Sequence, residues 1–186
     1  MESKRGAKKY VLDSSALIGG INPADLKGES YISPLVEREI HGNPMIKARI
    51  GCAIEEGKLI IRQPREKSIK RVKENAQMLG ETVLSKADVE TIALALELNE
   101  EGYEPTLISD DYSVENLCES LRLRYNSLIT MGIGRLFKWM YYCPGCGKES
   151  LSHGVCHICG TPFKRKAKPT REIRHRERIG LGGKVT

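Results

Sequence analysis

9-KYVLD-13 is a short apolar run after a basic start, closed by an aspartate. Such a run fits a buried strand. A second stretch of the same kind, 105-PTLISDD-111, lies nearly a hundred residues on and also ends in aspartate. Between and around them, strand and helix patterns alternate. SYIS (30–33) and KLIIR (58–62) read as strands, and a last strand lies near Tyr125 to Ile129. Helical patterning runs from about Pro34 to Glu56, with a break at 42-GNP-44. REKSIKRVKENAQML (65–79) is a polar helix with a thin apolar stripe of Ile69, Val72, Ala76 and Leu79. SKADVETIALALEL (85–98) and YSVENLCESL (112–121) are further helices. This alternation predicts an α/β fold, a central parallel sheet flanked by helices.

Ligands bind such sheets at the carboxyl ends of the strands. Asp13, Asp110 and Asp111 stand there. Each aspartate alone reads as a helix N-cap. Two strands ending in aspartate at one edge bring carboxylates together. Asp88 poses the same choice. Three residues after Ser85, it suits a capping box and the positive end of a helix dipole. Beside Asp13 and Asp111 it becomes one of a repelling cluster, which divalent cations neutralise. Mg²⁺ and Mn²⁺ favour such oxygen donors, and their chemistry here is activated water attacking a phosphodiester. Ser14 and Ser109 hydroxyls are candidates to hydrogen-bond these carboxylates.

Six cysteines are present. Four fall in 143-CPGCGKESLSHGVCHICG-160, as two C-x₂-C knuckles. Cys143, Cys146, Cys156 and Cys159 can complete a sulfur tetrahedron around one structural Zn²⁺, leaving no open position for substrate. The segment is too short for a hydrophobic core, so the metal would supply its folding energy. Cys52 and Cys118 sit in apolar helical contexts and are expected to be buried.

The net charge of +6 is uneven. Residues 164–186 hold nine Lys or Arg against two Glu, and the rest of the chain is nearly neutral. A basic tail suggests a polyanion partner, here nucleic acid. Lys164, Arg165 and Lys166 are phosphate-contact candidates. The cluster 137-FKWMYY-142 places Lys138 and Trp139 just before the first knuckle. It reads first as junction packing and second as a base-stacking surface. No apolar run is long enough to span a membrane, and the basic N-terminus lacks a signal-peptide core, so a cytoplasmic location is expected.

Four pieces, 10-YVLDSSAL-17, 33-SPLVEREI-40, 85-SKADVETIALA-95 and 109-SDDYSVENL-117, together resemble the PIN-domain nucleases. With the ribbon and basic tail following, the order resembles the Nin one binding protein family in its short archaeal-like form. That resemblance implies a PIN-like domain over 1–138, a zinc ribbon over 139–163 and a flexible basic tail over 164–186. It implies a metal-dependent endoribonuclease that cuts single-stranded precursor rRNA to mature the 3′ end of small-subunit rRNA. It implies Asp13, Glu39, Asp88 and Asp111 as catalytic ligands of one or two Mg²⁺ or Mn²⁺, with Glu37 and Asp110 as the weaker neighbours. The implied partners are precursor rRNA or a pre-ribosomal particle, with other assembly factors as candidates. Two alternatives stay open. One is a non-catalytic RNA-binding assembly factor on a PIN scaffold, and the other a general or toxin-like PIN RNase.

Overall fold

The structure is a computed structural model that describes residues 8–128 and 135–172. Five parallel strands form the main sheet: β1 (Lys8–Leu12), β2 (Gly28–Ile32), β3 (Leu59–Ile61), β4 (Thr106–Ile108) and β5 (Arg124–Asn126). Their spatial order is β3-β2-β1-β4-β5. The chain builds outward from β1 in one direction, then returns to the other side of β1 with β4. The strand order reverses between β1 and β4, where such sheets open a crevice. β1 and β4 are in direct register, Leu12 beside Ile108. The residues that follow both strands therefore emerge side by side.

Period-two alternation sorts the strand residues between two apolar layers. Tyr10, Leu12, Ile32 and Ile108 face α1 (Ser14–Ile18), α2 (Pro34–Ile40) and α3 (Pro44–Glu55). Val11, Tyr31 and Leu107 face α4 (Glu66–Leu79), α5 (Lys86–Glu100) and α6 (Tyr112–Ser120). The break at 42-GNP-44 separates α2 from α3, with Asn43 capping the second. The stripe of α4 is buried at Ile69, Val72 and Ala76. α5 is buried on nearly every side from Ala87 to Leu98, so it is the central helix of its layer. α1 is a five-residue helix that the pattern did not announce. Cys118 is fully buried as expected, whereas Cys52 is exposed. It lies in α3 between the buried positions Ile46, Ile50 and Ala53 and takes the outward phase.

The C-terminal part is a three-stranded sheet, β7-β6-β8. Its strands are β6 (Arg135–Tyr142), β7 (Glu149–Ser150) and β8 (Lys164–Glu172). The stretch Lys164–Glu172, expected to be a flexible tail, is instead a strand antiparallel to β6. Charge density suggested disorder, but β6 offers a backbone ladder for β8 to pair with. The remaining tail expectation falls on residues 173–186, outside the described ones. Among the described residues, no helix is long and apolar enough to cross a membrane.

Candidate active site and zinc ribbon

Asp13 closes β1 and caps α1. It is 2% exposed and its carboxylate is densely held. Oδ1 accepts the Ser14 amide at 2.8 Å. Oδ2 accepts the Ser15 hydroxyl at 2.8 Å and the Ser109 hydroxyl at 2.9 Å. The same two serines reach the end of β4: the Asp110 amide donates to Ser15 Oγ and the Asp111 amide to Ser109 Oγ. Asp13 and the Asp110–Asp111 pair are thus tied by two hydroxyl bridges. Ser109 was legible as a carboxylate partner. Ser15 was missed, and Ser14 contributes its amide; the only sequence signal for Ser15 was the second serine of Asp-Ser-Ser at a helix start.

Asp110 and Asp111 part ways. Asp110 Oδ1 accepts the Ser127 hydroxyl and the Leu128 amide, at 2.7 and 2.8 Å, which ties down the chain after β5. Asp111 is exposed and caps α6 through the Ser113 amide at 2.7 Å.

Asp88 does form the capping box with Ser85. Its Oδ2 accepts the Ser85 amide at 2.7 Å, and its own amide donates to Ser85 Oγ at 3.1 Å. Its carboxyl is nevertheless held above the ordinary aspartate range. Burial is the main cause, and repulsion from Asp13 and Asp111 adds to it against the pull of the Ser85 hydrogen bonds. Three acids from three separate segments therefore share one electrostatic neighbourhood. One side chain thus caps α5 and feels the charge of Asp13 and Asp111.

On α2, Val36 and Ile40 are buried, and Glu37 and Glu39 flank them on opposite sides. Glu37 is half-buried and Glu39 exposed. Glu39 stacks one turn after Leu35, which turns toward the first turn of α5.

The four knuckle cysteines gather. Their sulfurs all lie within 4.8 Å of one another, the one such metal-capable group of three or more among the described residues. The carboxylates are more widely spaced. The knuckles are built alike. Cys143 and Cys156 each accept an amide four residues on, from Gly147 and Gly160, and each donates to a carbonyl five residues on. Both glycines have positive φ, as these turns demand. A Cβ on Gly145 would come within 3.3 Å of Cys159 Sγ and 2.9 Å of Thr161 Oγ1. The Thr161 hydroxyl and amide at the Cys159 sulfur bring that thiol down to about 6. Four converging sulfurs in a tight, donor-rich cradle fit Zn²⁺.

The ribbon is seated on the α/β body by a buried carboxylate that the sequence gave no reason to single out. Glu81 Oε1 accepts Trp139 Nε1–H at 2.8 Å and Asn116 Nδ2–H at 3.1 Å. Asn116 also exchanges two hydrogen bonds with the Phe137 backbone. Arg165 donates to Gly80 O at 3.0 Å, stands 4.0 Å over the Trp139 ring and lies 3.6 Å from Glu81 Oε2. Trp139 and Arg165 thus serve the junction. Lys166 pairs with Glu149 at 2.8 Å, Lys138 is half-buried, and Lys164 is exposed.

A model of the PIN domain of ribonuclease matches residues 10–98, which include Asp13, Glu39 and Asp88. Over most of its length the chain is similar to the Endoribonuclease Nob1 of Methanocaldococcus jannaschii. They are 34% identical across 92% of this chain and 84% of that protein. The chain belongs to the Nob1 endoribonuclease family. The Nob1 of Pyrococcus abyssi is 38% identical across 84% of this chain and 92% of its own. Ribonuclease VapC1 of Thermoplasma acidophilum is 32% identical across 84% and 77%. Nob1 membership makes the protein a nuclease, with the PIN fold and a cysteine cluster fitting a zinc ribbon.

Proposed function

We propose that the protein is a metal-dependent endoribonuclease that cuts single-stranded precursor rRNA to mature the 3′ end of small-subunit rRNA. The observation that carries this reading is that Asp13 and Asp111 follow the adjacent strands β1 and β4 and both bear electrostatically on Asp88, in a Nob1 family chain. Glu39 is proposed as the fourth acid, on the side of α2 that carries Leu35.

The donor set suits a hard divalent cation. Asp13 keeps lone pairs on Oδ1 beyond its one amide, and Asp88 keeps its second oxygen. Burial raises Asp88 most, and the repulsion from Asp13 and Asp111 that adds to it is the kind that Mg²⁺ or Mn²⁺ neutralises. Such an ion, once bound, supplies an activated water and charge stabilisation at phosphate. The serine bridges orient Asp13, and the α5 and α6 N-termini present Asp88 and Asp111. The ribbon's basic strand, with Lys164 and Lys166 at its start, supplies phosphate contacts that the acidic edge cannot. The occupants proposed for RNA binding among the earlier candidates are therefore Lys138, Lys164 and Lys166, with Trp139 and Arg165 acting through the junction.

The test is cleavage of labelled single-stranded RNA spanning that 3′ end, by the protein and by Asp13→Asn, in Mn²⁺ and in EDTA. Metal-dependent cutting at one site, lost in the variant while binding persists, is the expected result. RNA binding without cutting, even with ribosomal particles added, would favour the non-catalytic assembly factor instead.

A further inference from the structure

The body and ribbon enclose a cleft of about 770 Å³ whose role nothing above explains. One wall is α4 with the first turn of α5, and it is floored by Ile69, Ala76 and Val89. The other wall is the ribbon, with Tyr141, Leu151 and His153. The Tyr141 and His153 rings stand 6.4 Å apart at a tilt of 53°. Leu151 is 76% exposed at the mouth. The volume lies within the roughly 300–1,000 Å³ of sites that enclose small flat ligands.

The cleft reaches the first turn of α5. Ser85 and Lys86 line it, and they are the N-cap and first residue of the helix that presents Asp88. Lys86 is exposed there, and helix stability gives no reason for a cation at the positive end of a dipole. A phosphate beside it would. Glu66, Glu81 and Glu90 also border the cleft, with Lys73 among them, so its rim is of mixed charge. An apolar floor, an aromatic wall and an exposed lysine on the turn that leads to Asp88 suit a base that enters while its phosphate stays at the rim.

We propose that this cleft seats one unstacked nucleobase of the RNA strand next to the cut. Tyr141 and His153 form its stacking wall and Lys86 holds the adjoining phosphate. This rests on the nuclease reading above.

The test uses the full chain with zinc and the Asp13→Asn substitution, so that RNA survives. Oligoribonucleotides spanning the 3′ end of small-subunit rRNA carry 2-aminopurine at successive positions. One position close to the cut should be quenched several-fold on binding, and its neighbours little. Tyr141→Ala should abolish that quenching and weaken binding about 10-fold. Lys86→Glu, which suits the helix dipole and should fold, should weaken binding and lower its salt dependence. Equal fluorescence at every position, with RNA bound and cut by the unsubstituted protein, would overturn the cleft and leave the nuclease standing. Unchanged binding in Lys86→Glu would also count against it. Failure to bind any of the RNAs would overturn both.

Discussion

Ser109 donates its hydroxyl to Asp13 across 2.9 Å while accepting the amide of Asp111 at 3.1 Å. One side chain thus fixes the distance between the ends of two neighbouring strands. Ser109→Ala should remove a donor from a buried carboxylate, at about 1–3 kcal/mol of stability. Cleavage should fall further than RNA binding, since Asp13 loses orientation. Ser14→Ala should be nearly silent, because Ser14 contributes its backbone amide, which survives the change. Thermal melts and cleavage rates on both variants check this; equal effects would remove the serine bridge from the account.

Asp88 carries a sign that pH can read. Its folded carboxyl binds its proton more tightly than the unfolded one. Between those two values the folded state holds more protons, so this group lowers stability as pH rises through the window above about 4. The cost is then constant at neutral pH. Asp88→Asn removes the charge yet keeps an oxygen for the Ser85 amide. It should be at least as stable as the parent at pH 7, with a flatter pH profile above about pH 4. Mn²⁺ should raise the melting temperature of the parent, and that rise should be lost in the variant. A clear destabilisation at pH 7 would mean that the cap outweighs the repulsion.

Much of this was readable from the chain, for local reasons. Apolar runs ending in aspartate marked β1 and β4, and two C-x₂-C knuckles marked the metal cradle. Asp88 was ambiguous because a cap and a cluster member look alike in sequence; the fold shows the cap and puts the side chain within the electrostatic reach of Asp13 and Asp111. The misses were tertiary. Lys164–Glu172 reads as a solvated charge run until β6 offers it a partner. Cys52 depends on helix phase, which an apolar neighbourhood hides. Glu81 looks like any loop glutamate until Trp139, Asn116 and Arg165 arrive from distant segments.

Glu37 and Glu39 take opposite sides of α2, and their isosteric amides separate them. Glu39→Gln should cut cleavage by at least 100-fold with RNA binding retained, if it completes the metal shell. Glu37→Gln should change cleavage by less than 10-fold. Reversal of that order would move the fourth acid to Glu37, the more buried of the two.

Trp139 is the one tryptophan in the chain, and it sits at the seam between body and ribbon. Its emission therefore reports on that seam. Stripping metal, or Cys143→Ser, should loosen the ribbon, whose four converging cysteines fit a structural Zn²⁺. Trp139 emission should shift to the red while the helical signal of α4 to α6 persists, because those helices pack on their own apolar layer. Loss of both signals together would show that the body depends on the ribbon.

Glu81 sets what that seam costs to break. Its side chain is 2% exposed, and Arg165 opposite is 25% exposed. Arg165→Ala leaves the carboxylate with the Trp139 and Asn116 donors but no cation, which should cost about 1–3 kcal/mol. Glu81→Ala strips a partner from Trp139 and Asn116 at once and leaves Arg165 without its counter-charge. It should cost more, and the double variant should cost less than the two singles added, since the residues share one network. Denaturant melts followed through Trp139 emission measure all three. Strict additivity would mean that Arg165 holds the ribbon through Gly80 and the Trp139 ring alone, with Glu81 acting separately.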